Sequence, residues 1–531
     1  MTERTISGLS RRRYLEAVGA AGVVGLAGCS GDGGGGAGGG SGNGNGLTLA
    51  QVKGPVEFDP IVLNDVPSDQ ITNQVVEGLY TYNEEGTDIK PELAAGDPEQ
   101  NEDGTRWTVE IDENATFQNG DPVTAEDVKY SFEAPVEEET ENATELNMID
   151  TVETDGERTV HFNLKYPFGP FKQVLTWYVV PKSVREDDKE GFNQNPVGSG
   201  PFEFDDWQEG DFARITRWDD YWGDSQPDLE QVEFVPVEEP TTRVTSITTG
   251  ENDVIEEIPP KLWDQVEGED NVSIEEVDAM GYFYLAFNCN EGPTTDPEVR
   301  EAIDYTFSMD QAVENFVEPT GVRQYSPLPK TVAENWDMPL DEWQNVPNDK
   351  DIDEAKSILD GNDNVPDDWT ARIIVPPDNK REQLGITVAN GIEEAGYSAN
   401  VQRLDWGAFL DQYVSGDPND YNMYPLGWSS TIDPDDYLYY FFVEESHGVT
   451  DGTYYNGISD QIVEARQTPD REERKRMYEE AITTMLEDRA HLPSYNLKNS
   501  FGVREYVNDF RAHPINSFSL VSDWNNVSLD Q

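Results

Sequence analysis

Few residues of this chain are spaced for covalent chemistry. Cys289 has no histidine near it in the sequence, and neither a G-x-S-x-G nucleophile elbow nor an H-E-x-x-H zinc motif occurs. Carboxylates are so frequent that paired acids are expected by chance and give no specific support for a glycosidase. The four histidines are scattered, which argues against a His-rich metal site: His161, His447, His491 and His513. We therefore expect a protein that is not an enzyme and that uses neither a metal nor a cofactor.

The other cysteine, Cys29, ends a stretch with the features of an export signal. Residues 10–15 read SRRRYL, and an apolar run of small residues leads from there to LAGC at 26–29. The first motif resembles a twin-arginine signal, and the second resembles a lipobox, whose cysteine is acylated after cleavage. The run is much shorter than the roughly 20 residues of a membrane-spanning helix. We expect residues 1–28 to be a twin-arginine lipoprotein signal, with lipidated Cys29 and a Gly-rich tether in 29–46.

The net charge of the chain indicates the ionic strength of its surroundings. The formal net charge is -71, from 107 acidic and 36 basic residues, which is too large to describe a single site. Such a surface is tolerable where salt screens charge within a few ångströms, so we expect a halophilic protein. The same charge argues against nucleic acid as a partner, because binding polyphosphate relies on Lys and Arg. The many aromatic residues, 12 Trp, 23 Tyr and 21 Phe, favour a folded body over a disordered acidic chain.

Hydrophobic periodicity predicts a mixture of strands and helices. Residues 106–111, 159–164 and 212–216 alternate with period two and are predicted strands. A capped helix is predicted after Thr124, and apolar stripes predict helices near 296–307 and 470–488. Strands at 370–375 and 398–404 flank a predicted helix at 382–395, which indicates an α/β lobe. Cys289 has no partner for a disulfide in the mature chain, so stability must come from the size of the cores.

Several stretches occur in an order that resembles one protein family. They are PELA at 91–94, DGTRWTV at 103–109, FQNGDPVTAEDVKYSF at 117–132, PVGSGPF at 196–202, DDYWG at 219–223, ITTGENDV at 247–254, LAFN at 285–288, VREAI at 299–303 and LGW at 426–428 followed by DP at 433–434. This order resembles the extracellular solute-binding proteins, family 5, of peptide-type ABC importers. The resemblance covers nearly all of the predicted mature chain.

The resemblance implies an α/β fold with two lobes, the type II periplasmic-binding-protein-like class of large peptide binders, with mixed sheets and a hinge of two crossing strands. Lobe I would comprise 47–288 plus 495–531, with an inserted subdomain at about 80–200, and lobe II would comprise 289–494. The crossings would lie near 287–288 and 492–496. Ligand binding would favour the closed form through contacts that only that form makes.

The resemblance also implies the function. The protein would be a lipid-anchored monomer on the extracellular face of the cell membrane, capturing a peptide or similar polar solute and delivering it to an ABC permease and its ATPase. An oligosaccharide or another non-peptide solute is the alternative ligand. A surface structural lipoprotein, suggested by acidity and by N-x-S/T sequons at Asn114, Asn142, Asn271 and Asn526, and a glycoside hydrolase are the alternatives from other classes.

By this resemblance, the ligand site centres on the loop GWSSTIDPDDY at 427–437. Tryptophan offers an apolar face and the hydroxyls offer adaptable hydrogen bonds, which suits a polar solute with apolar parts. The predicted ligand-binding residues are Trp428, Ser429, Ser430, Thr431, Asp433, Tyr437 and Tyr282, with Tyr284 also near the presumed hinge.

The loop departs from the pattern of peptide-binding relatives at one position. Thr431 stands where those proteins carry an acid that pairs with the α-amine of the peptide. A buried ammonium without a carboxylate costs several kcal/mol. Asp433 or Asp435 could replace the missing acid. The aromatic residues would also suit stacking on a sugar: Trp406, Tyr439, Tyr440, Tyr454 and Tyr455.

Overall fold

The computed structural model describes residues 45–443 and 451–530. The predicted export signal, Cys29, nearly all of the tether and His447 lie outside these residues. No helix in the described ranges is long and apolar enough to cross a membrane.

The strands of the described residues form one long mixed sheet and four smaller sheets. In chain order they are β1 (Gly46–Gln51), β2 (Tyr80–Tyr82), β3 (Ile89–Pro91), β4 (Glu99–Gln100), β5 (Arg106–Glu110), β6 (Ile149–Asp155), β7 (Thr159–Leu164), β8 (Phe202–Gln208), β9 (Phe212–Arg217), β10 (Gln231–Pro236), β11 (Val254–Glu256), β12 (Val272–Asp278), β13 (Gly281–Phe287), β14 (Gly321–Arg323), β15 (Thr370–Val375), β16 (Ser398–Arg403), β17 (Met423–Ser429), β18 (His491–Arg504), β19 (Val507–Asn508), β20 (Arg511–His513), β21 (Ser517–Ser519) and β22 (Ser528–Leu529).

The helices alternate with these strands along the chain. The α-helices are α1 (Val66–Val75), α2 (Ala125–Glu137), α3 (Phe171–Val174), α4 (Lys182–Arg185), α5 (Lys189–Gln194), α6 (Pro240–Thr249), α7 (Trp263–Glu267), α8 (Pro297–Asp304), α9 (Met309–Phe316), α10 (Lys330–Asn335), α11 (Leu340–Trp343), α12 (Ile352–Gly361), α13 (Asn379–Glu394), α14 (Trp406–Tyr413), α15 (Tyr439–Phe442), α16 (Ser459–Arg466) and α17 (Arg471–Glu487). Short 3₁₀ segments occur at Glu141–Leu146, Pro260–Leu262, Pro293–Thr295 and Pro434–Tyr437.

The predicted elements are confirmed where the sequence pattern was strongest. β5 and β7 pair antiparallel and bury alternate residues, as a period-two pattern requires. α2 begins after Thr124 with a capping box, in which Asp127 Oδ2 accepts the backbone N–H of Thr124 at 3.0 Å. α17 is capped by Asp470 and buries Ala481, Ile482 and Met485 along one stripe.

The strands of the long sheet belong to two lobes. Its strand order is β16-β15-β17-β13-β18-β11-β1-β10-β9-β8, with β12 and β14 paired to β18 outside this path. β15, α13 and β16 form a parallel unit, which confirms the predicted α/β unit. We call the half from β8 to β11 lobe I and the half from β13 to β16 lobe II.

β18 belongs to both lobes. Its first residues pair with β13 and β14 in lobe II, and its last residues pair with β11 and β12 in lobe I. The second crossing, β12 to β13, changes partner between Asp278 and Gly281, where Asn496 Oδ1 accepts the backbone N–H of Gly281 at 3.0 Å. All of β13, including Phe287, pairs with β17 of lobe II, so the pairing changes before the sequence-based position at 287–288.

Separate hydrophobic cores support the two lobes. Residues between 79 and 179 form one cluster around the four-stranded sheet β4-β5-β7-β6, in the region predicted as the inserted subdomain. Phe501, Phe510 and Phe518 from the end of the chain pack into the lobe I core with β1 and β10.

The lobe I sequon at Asn142 is fully buried, and its Nδ2 donates to the carbonyl of Leu63 at 3.0 Å, so it is not exposed for glycosylation in this fold.

Candidate functional site

Residues 427–437, which we call the ligand-side loop, continue from β17 into the 3₁₀ turn Pro434–Tyr437. The backbone N–H of Ser430 donates to the carbonyl of Met280 at 3.0 Å, which holds the loop against the start of β13. Asp433 caps the turn, since its Oδ1 accepts the backbone N–H of Asp435 at 3.0 Å. The loop is therefore fixed at both ends, next to the crossing between the lobes.

Trp428 and the hydroxyl residues stay partly accessible. The Trp428 side chain is half-buried, with ring centroids 5.5 Å from Tyr440 and 5.6 Å from Phe441. Ser429, Ser430 and Thr431 are also half-buried. This part of the loop combines an aromatic face with hydroxyl groups.

Tyr282 and Tyr437 lie in the core of lobe II. The Tyr282 hydroxyl lies 3.2 Å from His491 Nδ1, and its ring stacks on Tyr284 at 4.8 Å. Burial lowers the pKa of His491 to about 3, so this histidine is neutral and cannot supply a positive charge. The Tyr437 hydroxyl oxygen lies 3.0 Å from the carbonyl oxygens of both Met280 and Thr431, and its single proton is shared between them. Both tyrosines are fully buried, and the Tyr437 hydroxyl supports the loop through its contact with the Thr431 carbonyl.

Two of the three acids in the loop are neutralised by buried arginines. Asp433 Oδ1 lies 2.5 Å from Arg474 Nη2, and Asp435 Oδ2 lies 2.6 Å from Arg466 Nη1. The Tyr478 hydroxyl adds a hydrogen bond to Asp435 Oδ1 at 3.0 Å. Removing one member of such a pair leaves an uncompensated buried charge. Asp433 and Asp435 are thus committed to structural ion pairs.

Asp436, the third acid, is held differently. Its Oδ2 accepts the Thr431 hydroxyl at 2.9 Å and the amide Nε2 of Gln173 at 2.8 Å. Across the ranges that the structure describes, no Lys or Arg nitrogen lies within 4 Å of its carboxylate. Burial, followed by the nearby charges of Asp435 and Asp433, raises the pKa of Asp436 to about 7. A ligand ammonium would find here a carboxyl group that forms no ion pair with a Lys or Arg side chain of the described residues.

The loop faces a short stretch of lobe I, residues 168–173, which we call the facing segment. The guanidinium carbon of Arg466 lies 3.5 Å from the ring centroid of Tyr439 and 4.7 Å from that of Phe168. The backbone N–H of Gly169 donates to the carbonyl of Arg466 at 2.8 Å. Arg466 therefore joins an aromatic residue of each lobe.

Gly169 allows the facing segment to lie close to Arg474 of lobe II. A Cβ atom at this position would lie 2.5 Å from Arg474 Nε and 2.7 Å from its Cδ. Because Arg474 is fixed by its ion pair with Asp433, it has little freedom to move away. A larger residue at 169 would push the facing segment from the ligand-side loop.

Ile432 completes the contact between the lobes. Its side chain packs against the hydrophobic cluster of the inserted subdomain, while its carbonyl accepts the indole N–H of Trp336 in lobe II at 3.0 Å. The ligand-side loop therefore lies in lobe II and contacts lobe I through both apolar and polar atoms.

The arrangement suits recognition of a solute. Among the described residues, no group of three or more His, Cys, Asp or Glu side chains is placed to hold a metal ion. Burial raises the pKa of the Cys289 thiol, which disfavours its reactive thiolate form. The aromatic residues expected to suit a sugar differ in position and accessibility. The ring centroid of Trp406 lies 5.9 Å from that of Phe409, and Tyr455 is mostly buried. Tyr439 and Tyr440 are half-buried beside the ligand-side loop.

Sequence reasoning missed Gln173 and the roles of Asp436, Arg466 and Arg474. Gln173 is 258 residues away from Thr431 along the chain, and no local pattern indicates its contact. Asp436 lies within the predicted ligand loop, but Asp433 and Asp435 are the same residue type, so only the positions of the arginines distinguish the three acids.

Comparison with known proteins places the chain in a recognisable group. A family model described as bacterial extracellular solute-binding proteins, family 5 Middle, matches residues 88–448. The oligopeptide-binding protein AppA of Bacillus subtilis is 24% identical over 502 residues, which cover 91% of this chain and 91% of that protein.

Solved structures share the whole fold. The structure of AppA from Bacillus subtilis in complex with a nonapeptide has a TM-score of 0.73 at 21% identity, covering 92% of this chain and 100% of the other. The structure of NikZ from Campylobacter jejuni in complex with Ni(L-His) has a TM-score of 0.72 at 20% identity, covering 91% and 99%. These similarities confirm the predicted two-lobed, type II mixed α/β fold.

Proposed function

Because this chain belongs to the extracellular solute-binding proteins of family 5, we propose that it captures a peptide or a similar polar solute between its lobes and presents it to the membrane subunits of an ABC importer. The relative AppA is named an oligopeptide-binding protein and has been solved with a nonapeptide. The ligand-side loop, lying in lobe II and touching lobe I, is the observation that carries the proposal for this chain.

The solute would lie along Trp428 and the three hydroxyl residues that follow it. The half-buried indole supplies apolar contact area, and the hydroxyls of Ser429, Ser430 and Thr431 can either donate or accept. A solute that bridges the loop and the facing segment gains contacts only when the lobes are close, so its binding favours the closed form.

A peptide ammonium would be received by Asp436. The sequence left open whether Asp433 or Asp435 replaces the acid missing at Thr431. Both of these acids have an arginine at 2.5–2.6 Å, whereas Asp436 is held only by uncharged groups. The Thr431 hydroxyl touches the Asp436 carboxylate, so the threonine would orient the acid that serves this purpose.

The remaining parts of the proposal follow the family and the sequence. The protein would bind its solute without converting it, remain outside the cell through acylated Cys29, and act as a monomer with a permease and an ATPase. It would have no nucleic-acid partner. A non-peptide solute is the second candidate, favoured by the NikZ relative solved with Ni(L-His) and by Thr431 at the position of the usual acid.

Binding is tested by a thermal-shift screen of the full chain in molar salt, using a tryptic digest of casein, oligosaccharides and Ni(L-His) as probes. We expect the peptide digest to raise the melting temperature and to be recovered chemically unchanged. Trp428→Ala is expected to weaken the binding of the active fraction by about 10-fold to 100-fold, corresponding to about 1.4–2.8 kcal/mol.

Trp524→Ala is the matched control. Trp524 is also half-buried, but it stacks on His513 at the end of lobe I, 5.9 Å between ring centroids. Its loss should leave affinity unchanged. An effect of equal size in both variants, or no shift with any probe, would contradict a binding site at the ligand-side loop. Hydrolysis of a probe would favour the enzyme alternative.

A further inference from the structure

Gln173 makes a reciprocal bridge between the lobes. Its amide Nε2 donates to Asp436 Oδ2 at 2.8 Å, and its amide Oε1 lies 3.0 Å from the Thr431 hydroxyl, whose single proton is shared between this oxygen and Asp436 Oδ2. The side chain thus uses one donor and one acceptor at the same time, on two residues of the ligand-side loop. Gln173 lies in α3, within the inserted subdomain of lobe I.

The chemistry of this bridge requires an amide. A glutamate at position 173 would place a second carboxylate within hydrogen-bond distance of Asp436, and two carboxylates at this distance cannot both remain ionised without strong repulsion. A protonated glutamic acid, in contrast, has the shape of glutamine and carries one donor and one acceptor. The hydrogen bond between residue 173 and Asp436 therefore depends on the total charge that these two side chains carry.

Several charged or titratable groups face Asp436, and they come from both lobes. They are Asp433, Asp435 and Arg466, together with the phenols of Tyr82 in lobe I and Tyr440 in lobe II. Arg466 is already paired with Asp435, and Arg474 with Asp433, so neither arginine forms an ion pair with Asp436.

We propose that Gln173 is a positioning residue that joins the lobes at the ligand-side loop and makes their closure sensitive to the charge of Asp436. The proposal deepens the proposed function, since it names a device by which closure around a solute is regulated. Gln173 contacts both the hydroxyl and the acid expected to meet the solute, so it orients them only when the lobes are close.

The direction of the pH effect follows from the burial of Asp436. Closure places this carboxyl in surroundings that raise its pKa to about 7, above its value in an open, hydrated cleft. A group with the higher pKa in the closed form favours that form at low pH and loses this contribution as pH rises through about 7. Closure of the natural chain is therefore expected to strengthen as the solution is acidified.

Gln173→Glu tests the bridge directly in the full chain, without any added solute. Small-angle X-ray scattering in molar salt measures the radius of gyration, which increases when the lobes separate. At about pH 8 we expect the variant to be more extended than the natural chain, and at about pH 5 we expect the difference to disappear because one proton is shared by the two acids.

Gln265→Glu is the matched control, because it adds the same charge to lobe I on the exposed side of α7. It should follow the natural chain at both pH values. Circular dichroism on the same samples verifies that each variant is folded. Equal radii for all three proteins at about pH 8, or an expansion of Gln173→Glu that persists at about pH 5, would overturn the proposal. Because no solute is present, either result is independent of whether the chain binds peptides.

Discussion

The lobes meet in two places that are built in different ways. At the hinge, β18 continues from one lobe into the other, and backbone hydrogen bonds to β11, β12, β13 and β14 hold it. At the cleft, side chains connect Gln173 with Thr431 and Asp436, and Arg466 with Phe168, beside one backbone hydrogen bond from Gly169 to Arg466. Backbone pairing tolerates changes of side chain, whereas a charged side-chain contact depends on each partner. The hinge should therefore tolerate side-chain substitutions, whereas contacts across the cleft should be sensitive to substitutions and to pH.

The largest effect is expected from Arg474→Ala in the cleft. The change leaves Asp433 buried without its cation, which destabilises a fold by about 3–5 kcal/mol. Denaturant unfolding in molar salt measures the loss. Arg476→Ala, two residues along the same helix, removes an exposed pair with Glu473 at 3.8 Å and should cost about 0–1 kcal/mol. Similar losses in both variants would contradict the structural importance of the buried pair.

A smaller effect is expected from Gly169→Ala, at the point where the facing segment touches Arg474. The new Cβ would require a shift of Arg474 or of the segment, and overpacking of this kind costs about 1–3 kcal/mol. We expect the cost to be relieved by opening of the lobes, seen as a larger radius of gyration. Gly96→Ala provides the control because no atom lies within 4 Å of its new Cβ. An unchanged radius for Gly169→Ala would refute the close approach.

The smallest effect is expected at the hinge, from Ser500→Ala in β18. The hydroxyl accepts the backbone N–H of Ile258 at 3.3 Å, while the Ser500 carbonyl accepts from Glu257 and is unaffected by the change. Loss of the hydroxyl should lower the free energy of unfolding by about 0.5–1.5 kcal/mol. The radius of gyration and its pH dependence should not change. A shift of the open–closed equilibrium by this variant would remove the contrast between hinge and cleft.

The sequence was informative where structure is local. Alternating residues in β5 and β7, the capping box at Thr124 and the stripe on α17 follow from backbone geometry, and each was predicted with nearly correct bounds. Family motifs supplied the fold as a whole. These signals lie within one element or one motif, so they can be detected without knowledge of contacts elsewhere.

The cleft could be predicted only in part. Trp428 and Thr431 were expected near the ligand, and the structure places them half-buried on the ligand-side loop. Tyr282 was expected at the same site, but its side chain is fully buried against the rings of Tyr284, Phe441 and His491. The choice among Asp433, Asp435 and Asp436 depends on where Arg466 and Arg474 lie after folding. Such long-range pairing leaves no pattern in a single sequence.

Hydrogen–deuterium exchange of the full chain, with and without a tryptic digest of casein, tests whether the two lobes enclose the solute. Closure of two lobes on a solute predicts slower exchange in the ligand-side loop at 427–437 and in the facing segment at 168–173, with little change in β18, whose backbone bonds exist in both forms. If a digest that raises the melting temperature slowed exchange in neither segment, or protected only one outer surface, the account of capture between the lobes would be contradicted.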